Sequence, residues 1–310
     1  MLHVVLPDQL DPGIVLERLT PSDSVLIAEA GPMFSERVHT RKMVLLAAAG
    51  RHLAETLRSH GARVVQKKLE ENAHEESIEN HVAGAVRETG SDGIRLVRPG
   101  SWGEIAAVKA AADHLGIPLD LVEDPHFYST PAEFADHVNG RKQLVMEYFY
   151  RELRKRHRVL MEAEDSPAGG AWNFDKENRG TFGKEGPGEI PQPPHFPPDE
   201  MTGAACAAVQ ETFPGSPGSV DGFCLPVTPD EAEGALDDFL NNRLPRFGEL
   251  QDAMWTGARL LYHSFLSPAL NIKLLDPRRA IDGAVARYRD GNAPINSVEG
   301  FVRQILGWRE

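Results

Sequence analysis

The stretches Leu2-His3-Val4-Val5-Leu6, stopped by Pro7, and Ser24-Val25-Leu26-Ile27-Ala28 decide the fold class of this chain. Each is an apolar run of strand length bounded by turn-forming residues, and three more follow at Ala62–Gln66, Ile94–Val97 and Pro118–Val122. Between the runs the spacing turns helical. Val38–His60 carries Val44, Leu45, Ala48, His52 and Leu57 near a helical period, with Gly61 as its stop. Ser77–Glu88 and Trp102–Leu115 repeat the pattern, the latter closed by Gly116. Strand–helix–strand alternation implies an α/β fold, a mostly parallel sheet with helices on both faces. Ligands of such sheets sit at the carboxyl ends of the strands, which singles out the loop Pro7-Asp8-Gln9-Leu10 and the loop after Ala28.

The rhythm changes after Val122. Arg141–Leu160 reads as one long helix with Leu144, Val145, Tyr148, Phe149 and Leu153 on its apolar face. Its other face holds seven bases within 18 residues: Arg141, Lys142, Arg151, Arg154, Lys155, Arg156 and Arg158. Residues 164–200 read as loop, and the prolines between Pro187 and Pro198 make an extended connector. From Thr228 onward the pattern is helical, with Pro229 in a first turn, Pro268 early in another helix and Pro294 opening the last.

The chain has 310 residues, 41% of them hydrophobic, and a net charge of −13. That composition excludes a fibrous or wholly disordered chain. No apolar run approaches the ~20 residues of a membrane span, and the first residues lack the basic and cleavable parts of a secretory leader, so a cytoplasmic protein without membrane partners is expected. Cys206 and Cys224 cannot make a disulfide framework or a four-cysteine metal site. The charge is uneven. Met161–Leu240 holds 16 acidic residues against Lys176, Arg179 and Lys184, which accounts for the whole −13 and leaves the rest neutral. Acidity therefore argues against nucleic acid at one segment only.

Several chemistries drop out. Neither phosphate-loop motif is present, nor the metalloprotease HExxH, nor the GxSxG nucleophile elbow. The basic helix suits phosphate contact as well as a plain solvated face, the two readings being about even. His263-Ser264-Phe265-Leu266-Ser267-Pro268 reads either as a simple helix cap or as a helix start whose hydroxyls and N–H groups hold a cofactor phosphate.

Six strings carry a family resemblance: Leu6–Leu10 (LPDQL), Arg51–Glu55 (RHLAE), Gly140–Arg158, Gly169–Arg179 (GGAWNFDKENR), His263–Leu270 and Ala293–Glu310. In this order they resemble the bacterial iron–sulfur, (6-4) photolyase-like branch of the photolyase/cryptochrome superfamily. The resemblance implies a Rossmann-like α/β domain at 1–135, a basic helix and proline-rich connector at 136–226, and at 227–310 part of an all-helical FAD-binding domain. It implies light-driven electron transfer from reduced FAD to a pyrimidine (6-4) photoproduct in UV-damaged DNA. A cryptochrome-like photoreceptor or a non-catalytic chromophore-binding remnant is the other reading it allows. FAD would meet His263, Ser264, Leu266 and Ser267, with Phe247 packing nearby and Glu299, Gln304, Trp308 and Arg309 arriving on the last helix. Arg151, Arg154, Lys155 and Arg158 would face DNA.

The chain departs from that pattern in three ways. The family runs on beyond residue 310, where its catalytic residues and the four cysteines of an iron–sulfur cluster would lie, so no catalytic residue and no metal ligand is assigned. Phe301, Ile305, Leu306 and Trp308 are then expected to lie open. The resemblance also implies a lumazine-type antenna touching Asp8 and Gln9, but the usual Glu and Tyr are absent in register from Ala30–His39. Finally, Ala269 and Lys273 stand where the family usually has Tyr and Gly.

Overall fold

The five apolar runs form one sheet of parallel strands: β1 (Leu2–Val5), β2 (Ser24–Ala28), β3 (Arg63–Lys67), β4 (Ile94–Val97) and β5 (Leu119–Val122). In this computed structural model, which describes residues 1–310, the strand order is β3-β2-β1-β4-β5. Twelve α-helices accompany them: α1 (Pro12–Leu16), α2 (Thr40–Ser59), α3 (Ile78–Thr89), α4 (Trp102–Leu115), α5 (Pro131–Val138), α6 (Met146–His157), α7 (Glu200–Thr212), α8 (Pro229–Asn242), α9 (Leu244–Leu250), α10 (Ser267–Asn271), α11 (Pro277–Arg289) and α12 (Ile295–Arg303). The chain divides into two units. None of the helices is long and apolar enough to cross a membrane.

The first unit comprises Met1–Pro125, His195–Ala232 and Pro268–Leu274. β1 lies between β2 and β4, in register Val4↔Leu26 and Val4↔Leu96. A strand hydrogen-bonded on both edges and covered on both faces is mostly apolar, and all of Leu2–Val5 is buried, His3 included. The outer strands carry charges at Arg63 and Lys67 of β3 and Asp120 of β5, and the charge on an inner strand, Arg95 of β4, is met by Asp120 at 2.7 Å. The helices stop where the sequence directs. Ser77 and Ser101 cap α3 and α4 by accepting from the Asn80 and Glu104 amides, and Gly90 and Gly116 end them in left-handed conformations. α7 stands within the expected connector: Asp199 caps it at the Thr202 amide, and its small residues Ala205, Ala208 and Val209 pack inward while the helix lies against α2.

The second unit comprises His126–Pro194, Glu233–Ser267 and Leu275–Glu310. Its α12 packs against α9 and α11. The approach is closest at Gly248, where a β carbon would fall 2.6 Å from the Ser297 backbone, and the Gly248 amide donates to Ser297 Oγ at 2.9 Å. Beyond α12 the chain continues as a wider π-type turn, Gln304–Arg309, against α6. This overturns one expectation. Phe301, Ile305 and Leu306 are buried, because α9, α11 and α6 supply their cover, and Trp308 alone of the four is exposed. The basic helix is also shorter than expected. Val145 has extended backbone, and Arg158 and Leu160 adopt left-handed conformations that turn the chain away. Leu144 and Val145 therefore lie outside the helical period and are exposed with Tyr148, while Phe149, Tyr150 and Leu153 are buried.

In the first unit the buried Asp23 carboxylate ties the chain start together. It lies 3.3 Å from the N-terminal amine and 3.4 Å from His3 Nε2, and accepts the Thr20 amide. Burial alone would raise its pKa, but the hydrogen bonds from Thr20, the amine and His3 prevail and hold it at about 2. Since the ordinary value of 3.8 lies above the folded one, the unfolded chain takes up the proton first as the pH falls. The stabilisation is complete above about pH 4 and disappears as the pH drops towards 2. Asp23→Asn should cost about 2 kcal/mol near neutrality and converge on the parent protein at low pH, measured as denaturant melts between pH 2 and 7.

Candidate functional site

Three of the six strings meet around one buried guanidinium in the second unit. Arg154 is fully buried although it lies on the face that sequence assigns to solvent. Its Nε donates to the Val159 carbonyl at 3.2 Å, and Nη1 and Nη2 donate to the Trp172 and Leu160 carbonyls at 2.9 and 2.6 Å. The left-handed turn at Arg158–Leu160 is what aims two of those carbonyls back at the helix. The guanidinium also lies over the rings of Tyr150 and Trp172. The Tyr150 hydroxyl donates to Glu299 Oε1 at 3.0 Å, and the Phe174 amide donates to the other carboxylate oxygen at 3.2 Å. Burial raises the Glu299 pKa despite these donors, and burial followed by the Glu299 charge raises that of Tyr150. Alongside, Asn178 and Asn296 exchange hydrogen bonds, and Gly180 donates to the Glu249 carbonyl.

This network settles the positions of several candidate residues. Glu299 already accepts two donors. Phe247 is buried in an aromatic cluster with Phe239 and Phe301, ring centroids 4.9 to 5.9 Å apart. Leu266 is buried, and Arg309 lies over the Phe127 ring. His263, Ser267, Gln304 and Trp308 are exposed. His263 Nε2 lies 3.1 Å from the Gln251 carbonyl, which joins the His263–Ser267 loop to the end of α9. In that loop Ser264 Oγ accepts the Leu266 amide and Phe265 is left-handed and exposed. Exposed Met254 and Trp255 stand in the segment preceding this loop. α10 has only five residues, so its dipole is short.

Of the candidate phosphate contacts, Arg154 is therefore a correction: every donor faces a backbone carbonyl or an aromatic ring. Arg151 pairs with Glu147 at 2.9 Å and half-exposed Lys155 with Asp165 at 2.5 Å. Arg158 is exposed and, with Lys155 and Arg156, lines a cavity of about 350 Å³ bounded by Met161–Glu164.

In the first unit, buried Gln9 bridges strands: its amide donates to the Val97 carbonyl at 2.9 Å and its oxygen accepts the Leu6 amide. Asp8 stands at the reversal of strand order between β1 and β4. Glu104 of α4 and the Lys273–Asp124 ion pair, 2.7 Å long, act on it electrostatically. Glu104 and Asp124 gave no signal in the sequence, because a Glu three residues after a capping Ser ordinarily reads as a solvent-facing cap. No group of three or more His, Cys, Asp or Glu side chains gathers as metal ligands would.

The chain is also related to known proteins. The family model described as deoxyribodipyrimidine photo-lyase-related protein matches residues 3–225. The chain belongs to that family. It is 37% identical to a (6-4) photolyase of Agrobacterium fabrum over 314 aligned residues, covering 100% of this chain and 61% of the relative. An uncharacterised protein, R853, of Acanthamoeba polyphaga mimivirus is 38% identical over 61 residues, 19% of this chain and 46% of its own. Among solved structures, a bacterial class III photolyase from Agrobacterium tumefaciens has the same fold, with a TM-score of 0.59 at 16% identity over 99% of this chain and 57% of that one. The chain thus spans about 60% of the length of these photolyases. Arg154→Met should strip three carbonyls of their charged donor and cost at least about 3 kcal/mol in a denaturant melt, whereas Arg158→Gln should change stability by less than about 0.5 kcal/mol.

Proposed function

We propose that this chain is the N-terminal and first helical portion of a photolyase-related flavoprotein that carries out light-driven repair of UV-damaged DNA, with the pyrimidine (6-4) photoproduct as its lesion. The observation that carries the reading is the 37% identity to a (6-4) photolyase along the entire chain.

FAD is the cofactor this reading requires, and the His263–Ser267 loop fits part of it. Behind the loop the buried Gln251 Oε1 has no hydrogen-bond partner. In front, Ser264 and Ser267 present hydroxyls beside exposed Phe265. His263, Ser264 and Ser267 would hold the phosphate and ribityl part by hydrogen bonds, with Gln304 and Trp308 as further contacts. Phe247, Leu266, Glu299 and Arg309 would act from behind, by keeping α9 and α12 in place. Reduced and photoexcited, the flavin supplies the electron. The protein's own tasks are to exclude water around it, and to draw DNA in by its phosphates. For the second task Lys155 and Arg158 are the available cations, and Arg151 contributes where DNA competes with Glu147.

Two measurements test this. Protein containing the chain, reconstituted with FAD, should show a bound-flavin absorption spectrum. It should also repair an oligonucleotide bearing one (6-4) photoproduct under blue light and leave it unchanged in the dark. Failure to retain flavin, or repair equal in light and dark, would overturn the proposal. On duplex DNA, Lys155→Gln and Arg158→Gln should each flatten the dependence of log affinity on log salt by about 0.9 for each phosphate that the removed cation neutralised.

A further inference from the structure

The lumazine-type antenna implied by the family resemblance would lie at the carboxyl edge of the sheet, against Asp8 and residues 30–39. The side chains present there do not fit it. The start of α2 is covered by the segment Phe213–Asp221 of the same unit. The Thr40 amide and hydroxyl both donate to the Pro217 carbonyl, at 2.9 and 3.0 Å, and Arg41 Nε donates to the Ser219 carbonyl at 3.1 Å. His39 lies so close to Gly218 that a β carbon there would collide with its ring, and the Glu36 carboxylate lies close against Gly215. On the other side of the stretch, Gly31 meets Ile78 of α3.

The Asp8 end is closed by a different device. Lys273 is 5% exposed, and its ammonium lies 2.7 Å from Asp124 Oδ2, also buried. Its backbone is left-handed, φ 67°, which brings the side chain in directly after α10. The segment is secured by the Leu10 amide, which donates to the Ile272 carbonyl at 3.0 Å. Glu104, 4% exposed, completes the group from α4. Asp8 Oδ1 and Glu104 Oε2 are buried without a hydrogen-bond donor. Burial raises both carboxyl pKa values, the Asp8 charge adds to the rise at Glu104, and Lys273 opposes the rise at both. Lys42 of α2 is a further cation acting on Asp8. The three carboxylates do not converge as metal ligands.

We propose that Lys273 takes the place of an antenna in this protein: its ammonium is the resident cation of the Asp8, Glu104 and Asp124 carboxyls, and the sheet edge is closed by the chain's own side chains. The inference rests on family membership and not on the repair reading, and its test needs neither flavin nor DNA. The probe is 6,7-dimethyl-8-ribityllumazine, followed by fluorescence anisotropy as the protein is raised to about 100 µM. The anisotropy should stay at its free value. Lys273→Met should lower the melting temperature by roughly 5–10 °C, since it removes the buried ion-pair partner of Asp124. Lys273→Arg should melt near the parent protein, and Asp124→Asn added to Lys273→Met should recover more than half of the loss. A saturable rise in anisotropy with the parent protein would overturn the proposal, as would a Lys273→Met variant that melts with the parent.

Discussion

An arginine without solvent exposure cannot shed its charge, so the fold must bring an acceptor to each of its donors. Arg51 in the first unit and Arg154 in the second each tie distant parts of the chain together in this way. In the first, Arg51 of α2 is buried, with Nε and Nη2 on the two oxygens of Glu29 at 2.7 and 2.9 Å and Nη2 also on Glu70 at 2.8 Å. Glu29, directly after β2, also accepts the Leu69 amide. One guanidinium thus fixes the end of a strand, a helix and the turn after β3. In the second unit Arg154 holds three carbonyls and two aromatic faces, and through Tyr150 it reaches Glu299. Removing one partner of such a set leaves a bare buried charge, at a cost of about 3–5 kcal/mol, which exceeds anything a surface ion pair contributes.

The same reasoning sorts the candidate residues by what remains available to a ligand. A carboxylate with two donors, as at Glu299, or a phenyl ring packed on two others, as at Phe247, has already committed its interactions to the fold. The exposed hydroxyl of Ser267 has not. The strings Gly140–Arg158, Gly169–Arg179 and Ala293–Glu310 are thus largely committed to holding one another. At the sheet edge the balance tips further: Lys273 pairs with Asp124 beside Asp8 and Glu104 where an open sheet of this order would ordinarily receive a ligand.

Much of the α/β unit was legible in the residues. All five strands fall within a residue or two of the apolar runs, and α4 spans Trp102–Leu115 as read. Strands buried on both faces announce themselves by composition, and Ser caps and Gly stops mark helix ends locally. α7 was not legible, because Ala, Gly and Thr over 200–212 carry little amphipathic contrast and the helix is held by packing against α2. Arg141–Leu160 misled for the converse reason: its period continues past both ends of α6, but the left-handed residues Arg158 and Leu160 are set by what Arg154 requires of the Val159 and Leu160 carbonyls.

The sequence by itself determined the parallel α/β class, the family and the acidic character of 161–240. Those are properties of local composition, spacing and order along the chain. Only the tertiary structure decided that Arg154 faces inward, that Phe301, Ile305 and Leu306 are covered, and that Lys273 meets Asp124 some 150 residues away in sequence. Each of these depends on which distant group satisfies a buried charge or covers an apolar surface, and a linear pattern holds no record of that partner.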